Sequence, residues 1–462
     1  MRKKALVFID HDLTIRHFIL SGVFKEIEAA YDVTYVFNLL PPSPKNWIFT
    51  DIHALGLERV LTTSISRVRM GRWYPLYAAS VLYRNRSTSN YIPRRDLMVE
   101  LNGEKWTRRY EILSQPGIYQ VFRWLYTCAQ GTHHEIDKII SHERPDVILH
   151  PSILTGYYIN ELLVASKKHH IPMVVMMNSW DNPSGKAMSI GYPEKLVVWG
   201  EQTRRHAIEF MGVPKDRVVV FGAAQFQVYR TPPTETESEL RAIFGIPQDG
   251  RPILLYAGAS KGAHESLYLK NLDDAIETGR LPSCHVIYRP HPWHGTLAPG
   301  EQSFFDLECK HTGLDPTMAD YYRRAIAGEA SGFHMADYAL SNKLLSLVSA
   351  VISPLSTMLL EAALLGKPVL MFFPYKDLSS ESGRYTALAL RLAHFADFFG
   401  AKGVTACYEE SDFAQRCQEL LMQSQDEKAR QAIRQHAAHF VDMGNPPYAT
   451  RLLQLVDELA VH

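Results

Sequence analysis

The sequence predicts an α/β protein of two parallel-sheet domains that face a cleft. Three observations lead there. Short apolar runs alternate with helix-spaced segments along most of the chain, the runs lack a period-2 alternation, and the pattern stops at a polar, proline-bearing stretch near the middle and then restarts. A run that is apolar on both faces belongs to a parallel strand covered by helices on each side.

In the first half, Ala5–Ile9 reads as a strand, Ile15–Tyr31 has helical spacing, and Asp32–Leu39 reads as a second strand. Asp146–His150, Met173–Met177, Lys195–Trp199 and Arg217–Phe221 follow as strands, separated by helical patterns over Tyr157–His169 and Gln202–Met211. Tyr229–Glu239 holds two prolines, several hydroxyl residues and acids, and reads as a linker. Beyond it Ile253–Ala257, His285–Tyr288, Ala350–Ser353 and Pro368–Phe373 are strands. Leu267–Thr278, a segment around Leu344–Val348, and Thr357–Leu365 are helical. Three helical segments close the chain: Asp412–Met422, Asp426–Val441 and Tyr448–Val461. Each half is therefore Rossmann-like. The expected divisions are residues 1–228 with an irregular, basic insertion at about 40–114, a linker at 229–239, a second domain at 240–442, and a terminal helix at 443–462 that crosses back to the first domain. Residues 295–331 are expected to be irregular as well.

Composition narrows the function. The 462 residues carry 49 Lys+Arg against 49 Asp+Glu, which argues against a dedicated nucleic-acid binder. Five cysteines are scattered without a CxxC pair, which fits a reducing compartment and no disulfide framework or structural zinc. The opening apolar run ends at Asp10-His11-Asp12, too soon for a signal peptide, and the stretch from Ala350 to Phe373 is broken by Pro354, Glu361, Lys367 and Pro368. The expectation is a cytoplasmic protein able to rest on the inner face of a membrane.

Ligands of open parallel sheets sit at the carboxyl ends of strands, so the polar loops that follow strands carry the chemistry. In the second half His285–Tyr288 leads into Arg289-Pro290-His291-Pro292, and Ala350–Ile352 leads into Ser353-Pro354-Leu355-Ser356-Thr357. Ser356 and Thr357 stand where a helix starts. Their hydroxyls, the free backbone N–H groups and the helix dipole suit a phosphate there. Arg289 and His291 can grip the same phosphate, and Glu361, one turn further, can accept from ribose hydroxyls. Gly258-Ala259-Ser260-Lys261-Gly262 follows the first strand of this half; Gly258, Ser260 and Lys261 are candidate phosphate contacts, although GxxxxGK[ST] spacing is absent. A helix cap and an ordinary strand-to-helix turn are the structural alternatives.

This combination resembles bacterial GT-B enzymes that build surface polysaccharides, among them the CDP-glycerol glycerophosphotransferases of teichoic acid synthesis and the CMP-sugar capsule enzymes such as polysialyltransferases and Kdo transferases. His291-Pro292 matches their His-Pro motif and Ser356-Thr357 their Ser/Thr pair; Glu361 with Gly366 and Pro368 is similar to the wider GT-B pattern in which a helix glutamate holds the ribose. The acidic pair followed by Gly of sialyltransferases has no match here. The resemblance implies a metal-independent inverting transfer from a nucleotide-activated, cytidine-type donor onto a glycan or lipid-linked acceptor. It implies no cofactor, and Arg289, His291 and the helix end would meet the charge of the leaving phosphate.

In the first half, Asp10, His11 and Asp12 follow strand one and are the candidate catalytic bases, Asp12 foremost. Read differently, the same segment resembles the nucleophile motif of haloacid-dehalogenase phosphatases, with Asp273-Asp274 as an ill-placed metal-binding pair. His150, and Trp180, Asp181 and Asn182 in the loop after Met173–Met177, are candidate acceptor contacts, with Trp180 stacking on a sugar. Arg67 to Arg109 hold nine arginines among aromatics, offset by Asp96, Glu100 and Glu104, and suit an anionic lipid-linked acceptor or a phospholipid surface. His264, His294, His311 and His334 lack the spacing of metal ligands. A hydrolysing UDP-sugar 2-epimerase shares the architecture and is the main rival reading, since it would use cleft carboxylates without an acceptor.

Overall fold

The computed structural model describes the chain except residues 1, 41–47, 49, 259–264, 293–295, 298–299, 330–336, 355, 374–383, 385–386, 388–389, 392 and 461–462. Two compact units emerge. The first comprises Met1–Gln227, Leu388–Ala396 and His439–His462, and the second Val228–Ala387 and Asp397–Ala438.

The first unit is built on β1 (Lys4–Ile9), β2 (Asp32–Asn38), β3 (Val60–Thr63), β4 (Val147–Ser152), β5 (Met173–Met177), β6 (Lys195–Val198) and β7 (Val218–Val220), in spatial order β3-β2-β1-β4-β5-β6-β7. Every pairing is parallel; Ala5 of β1 stands beside Val33 on one side and Val147 on the other. The strands are short, rich in β-branched residues and almost wholly buried, as a sheet covered on both faces requires. The terminal helix Tyr448–Leu459 packs here: Tyr448 meets Phe18 and Phe221 edge-on, and the Tyr31 hydroxyl donates to Asp457 at 2.7 Å.

The second unit repeats the plan with β8 (Ile253–Ala257), β9 (His285–Arg289), β10 (Thr312–Leu314), β11 (Ala350–Ser353), β12 (Val369–Phe372) and β13 (Val404–Cys407), in order β10-β9-β8-β11-β12-β13. Its core gathers Tyr256, Tyr268, Tyr288, Ile352, Leu370, Phe372 and Phe413. The fold class predicted from the sequence, α/β with two Rossmann-like parallel sheets, is the one observed. Among the described residues no helix is long and apolar enough to cross a membrane.

Four local expectations are corrected. Ile15–Tyr31 is not one helix. A π-helical turn, Ile15–Ile19, is followed by a separate helix, Lys25–Ala30, because Gly22 adopts φ 74°, a left-handed conformation that stops a right-handed helix. Residues 40–114 are not an irregular insertion: β3 completes the edge of the sheet, and Tyr74–Asn85, Tyr91–Asn102 and Glu104–Leu113 are helices with a small core of Tyr77, Val81, Leu82, Met98 and Tyr110. Interleaved arginines and tyrosines, which pack with their stems or rings while keeping a polar tip, hid the helical period. Residues 295–331 likewise contribute β10 and the helix Ala319–Ile326. Within the stretch read as a linker, Thr236 and Glu239 cap each other reciprocally and start the helix Glu237–Ile243, a T-x-x-E signature that the proline-rich composition obscured.

Gly222 marks a tight approach in the first unit. It has φ 85°, and a Cβ there would lie 2.0 Å from the carbonyl oxygen of Asp442. Both the conformation and the backbone contact exclude a side chain. Gly222→Ala is expected to cost about 3 kcal/mol or more of unfolding free energy in urea melts; a cost below about 1 kcal/mol would show that the 439–462 segment yields easily.

Candidate functional site

In both sheets the strand order reverses beside the first strand. Chain order runs β1, β2, β3 outward and then returns to β4 on the other side of β1; β8 and β11 repeat this. The loops after β1 and β4, and after β8 and β11, diverge from such a point and leave the strand ends accessible between them. Of the sequence-predicted residues, Asp10, His11 and Asp12 follow β1, His150 lies in β4, Gly258 follows β8, and Ser353, Ser356 and Thr357 end or follow β11, while Arg289 and His291 belong to β9 or the loop after it and Trp180, Asp181 and Asn182 follow β5.

In the second unit, Arg289 ends β9, Gly258 follows β8 and Ser353 ends β11, three neighbouring strands. The Gly258 amide donates to the Arg289 carbonyl at 2.9 Å. A Cβ on Gly258 would lie 2.7 Å from Glu265 Oε2, so the glycine admits the buried Glu265, which accepts from the Tyr288 hydroxyl at 2.7 Å. Arg289 is buried and oriented: Nε donates to Asp315 Oδ2 at 2.6 Å and Nη1 to Ser341 Oγ at 3.2 Å. Its Nη2 and the Oγ of the fully buried Ser353 have no hydrogen-bond partner among the described residues. Buried polar groups are seldom left so, and two on one sheet edge mark a place prepared for a polar ligand. Ser356 caps the helix Thr357–Leu364 by accepting from the Met358 amide at 3.2 Å, and Thr357 is its first residue. Glu361 is buried in that helix and accepts from the Tyr229 hydroxyl. His291 lies two residues past β9 and is half-buried. Ser260 and Lys261 lie outside the described residues.

In the first unit, Asp10 follows β1 and is fully buried. Its Oδ2 accepts from the Tyr157 and Tyr158 amides at 2.8 and 3.2 Å, just ahead of the helix Ile159–His169, while Oδ1 has no partner among the described residues. Burial pushes its carboxyl up to about 7 against those two hydrogen bonds. His150, inside β4, gives Nδ1 to the Phe8 carbonyl at 2.8 Å; a carbonyl can only accept, so the proton sits on Nδ1 and Nε2 keeps a lone pair, again with no partner among the described residues. Burial lowers His150 to about 4, which keeps the ring neutral. His11 Nδ1 accepts from the Leu13 amide at 3.0 Å, and burial holds this ring neutral too, at about 4. Asp12 Oδ1 accepts from the Thr50 amide at 3.2 Å. The edge is extended by residues the sequence did not single out: His17, whose Nδ1 pairs with Asn178 Oδ1, and Thr63, which bonds both Asn38 and Tyr158. Their only sequence signal was position near strand ends; the pairing of residues 161 apart is a tertiary fact.

The remaining candidates stand as follows. Trp180 is 2% exposed, with His394, Phe395 and Phe440 edge-on around its ring. Asn182 is buried and accepts from the Ser179 amide at 2.8 Å, with Asp181 beside it. Of the nine arginines from 67 to 109, most are held inside the unit, among them Arg69 on Glu161, Arg84 on the Met211 carbonyl, Arg86 on Ser114, Arg94 on Tyr77, and Arg95 on Glu104 and Glu111. Asp273, half of the acidic pair considered for a phosphatase, accepts from the amides of Lys310 and His311 and from the Thr312 hydroxyl, an architectural task in the second unit. Among the described residues no group of three or more His, Cys, Asp or Glu could hold a metal ion.

No protein-family profile matches this sequence, and no curated protein matches it. Solved structures do resemble it. A Listeria monocytogenes protein assigned as a UDP-N-acetylglucosamine 2-epimerase aligns with a TM-score of 0.51 at 11% identity, over 99% of this chain and 97% of that one. S. aureus MnaA with UDP aligns at 0.50 and 10% identity, over 99% and 96%. A variant of the wall teichoic acid polymerase TagF aligns at 0.50 and 10% identity, over 100% and 89%. At such identities the likeness shows the fold: the chain has a GT-B-like α/β architecture.

The buried carboxyl of Asp10 makes a measurable prediction. Unfolded, the group ionises near 3.8; folded, it holds its proton to about 7. The unfolded chain thus loses this proton first, and the folded state loses stability as pH rises from about 4 to about 7. Asp10→Asn cannot ionise, so its stability relative to wild type should climb across that window by up to about 4 kcal/mol. Urea melts at several pH values read the difference; one that stays flat with pH would refute the assignment.

Proposed function

We propose that this chain is a GT-B transferase that moves a sugar, or a polyol phosphate, from a nucleotide-activated donor onto a glycan or lipid-linked acceptor. One observation carries the reading: the switch-point edge of the second unit combines a buried, oriented guanidinium with an available Nη2, a buried serine hydroxyl with no partner among the described residues, and a serine-capped helix start, all on neighbouring strands. That is the donor set a phosphate needs. The fold shared with a UDP complex and with a teichoic acid polymerase supports a nucleotide-linked substrate.

In this reading the second unit binds the donor. Ser353, Ser356, Thr357 and the helix end hydrogen-bond the phosphate oxygens, with His291 beside them and Gly258 letting the backbone come close. Arg289 shares its charge with Asp315, so it steers and orients more than it neutralises. Glu361 exchanges its bond from Tyr229 for one from a ribose hydroxyl. As the bond to the leaving phosphate oxygen breaks, from carbon where a sugar is transferred and from phosphorus where a polyol phosphate is, the electron pair leaves with the nucleotide phosphate, and these donors stabilise the growing charge.

The first unit binds the acceptor. An acceptor hydroxyl must lose its proton as its oxygen forms the new bond. Asp10 is better suited than Asp12 to take it, because Oδ1 is available and its affinity for protons is matched to neutral pH. His11 and His150, neutral at the same edge, serve as hydrogen-bonding partners, and Asp181 and Asn182 remain acceptor contacts. The donor base follows the resemblance: cytidine is the proposal.

The test is a thermal-shift series with CMP, CDP, UDP, GDP and ADP, without added metal. A cytidine nucleotide at about 100 times its dissociation constant should stabilise the chain by about 2.7 kcal/mol. His291→Ala, at a half-buried loop position, should lose most of that while melting normally alone. Stabilisation by UDP alone would transfer the reading to the epimerase-like donor class; silence toward every nucleotide would sink it.

A further inference from the structure

The solvent side of the helix Ile118–Gln130 is apolar. Ile118, Val121, Trp124, Leu125 and Cys128 are exposed, Trp124 by 66% and Val121 by 58%. At 3.6 residues per turn these positions fall within one arc of roughly 120°. The inward side is apolar too: Tyr119 stacks on Tyr83 at 4.2 Å and donates to Ser80. Arg123 is the helix's one charged residue and lies off the exposed arc. Gln120, Arg123, Thr127 and Gln130 form a narrower polar stripe beside it; a surface helix ordinarily turns such a stripe outward, and one whose solvent arc is apolar instead is built to be covered.

The preceding helix, Glu104–Leu113, lies in the same unit. It exposes Trp106 and Ile112, and its outer side carries Lys105, Arg108 and Arg109, the last with its guanidinium 4.4 Å from the Trp106 ring. Its two acids, Glu104 and Glu111, are both held by Arg95, at 2.8 and 2.7 Å, and Glu104 also lies 3.5 Å from Arg108, so three cations outnumber the one acid they share the helix surface with. Exposed apolar side chains, among them two tryptophans, and three basic residues thus lie on two consecutive helices of one unit. Contiguous exposed apolar surface of this kind marks a site of association.

We propose that these two helices are a docking surface for an anionic lipid bilayer. Trp106 and Trp124 suit the interfacial layer, where an aromatic ring sits between headgroups and acyl chains, and Ile118, Val121 and Leu125 enter just below it. Lys105, Arg108 and Arg109 meet the negative headgroups. A second copy of the chain is the poorer occupant, because a two-fold contact through this face would bring two sets of those cations into one interface. The sequence pointed to residues 67–109 for such a surface; most arginines there are bonded internally, and the exposed face lies on 104–130. The inference does not depend on the proposed chemistry.

Flotation of the full chain with vesicles tests it, using phosphatidylcholine alone and phosphatidylcholine mixed in equal parts with phosphatidylglycerol. Binding is expected to the mixed vesicles and little to the neutral ones. Val121→Asp with Leu125→Asp, both at exposed positions, should weaken it by about tenfold or more with the melting temperature unchanged. Arg108→Ala and Arg109→Ala should weaken it about fivefold each and raise no folding question. Absence of binding to mixed vesicles, or full binding by both sets of variants, overturns the proposal. So does a lipid-free dimer in sedimentation that the aspartate pair dissolves, which would assign the face to a second copy.

Discussion

Strand-order reversal beside a central parallel strand is the constraint on which the rest of the molecule depends. Parallel strands need long crossovers, and the crossovers of each unit run first to one side of the opening strand and then to the other. Two loops that leave in opposite directions cannot cover the strand ends between them. In the first unit that gap lies between the loops of β1 and β4, in the second between those of β8 and β11. The carboxyl-end edges of the two sheets hold buried polar atoms without a partner among the described residues: Asp10 Oδ1 and His150 Nε2 in the first unit, Arg289 Nη2 and Ser353 Oγ in the second.

Such atoms oppose folding, and the surrounding structure holds them in place. Asp10 is fixed by two amides at the start of a helix, yet burial still favours its protonated form. Arg289 is fixed by a carboxylate with no exposure at all, so its guanidinium plane is set before any ligand arrives. The apolar clusters beneath, from Phe8 and Val147 through Val174 on one side and from Leu254 through Leu370 on the other, supply the burial that offsets these local penalties. The same trade explains why the two edges are polar while the strands behind them are mostly apolar.

The helices over 67–130 follow a different logic. Their inner faces tie arginines to carbonyls and carboxylates of the first unit, as Arg69 does with Glu161 and Arg84 with Met211, so the basic composition there is largely architectural. Burial even lowers Arg84 to about 10. What they present outward is unusual, because the exposed arc of Ile118–Gln130 is as apolar as its buried one.

The sequence by itself determined the α/β class, every strand of the two sheets except β3, β10 and β13, the helix start at Ser356-Thr357 and the candidacy of Asp10, Arg289 and Ser353. Those features are local: a buried parallel strand must be an unbroken apolar run, and the loop after it must be polar where it is wet. Only the tertiary structure decided which atoms are satisfied and which are available. Asp315 lies 26 residues from Arg289, Asn178 lies 161 from His17, and the amides that hold Asp10 come from residues 147 and 148 positions away. Short-range pattern carries no record of pairings closed over such distances. It also gave no account of 40–114, where arginine stems and tyrosine rings pack like apolar residues while reading as polar ones, so that β3 and three helices were invisible until the chain was folded around them.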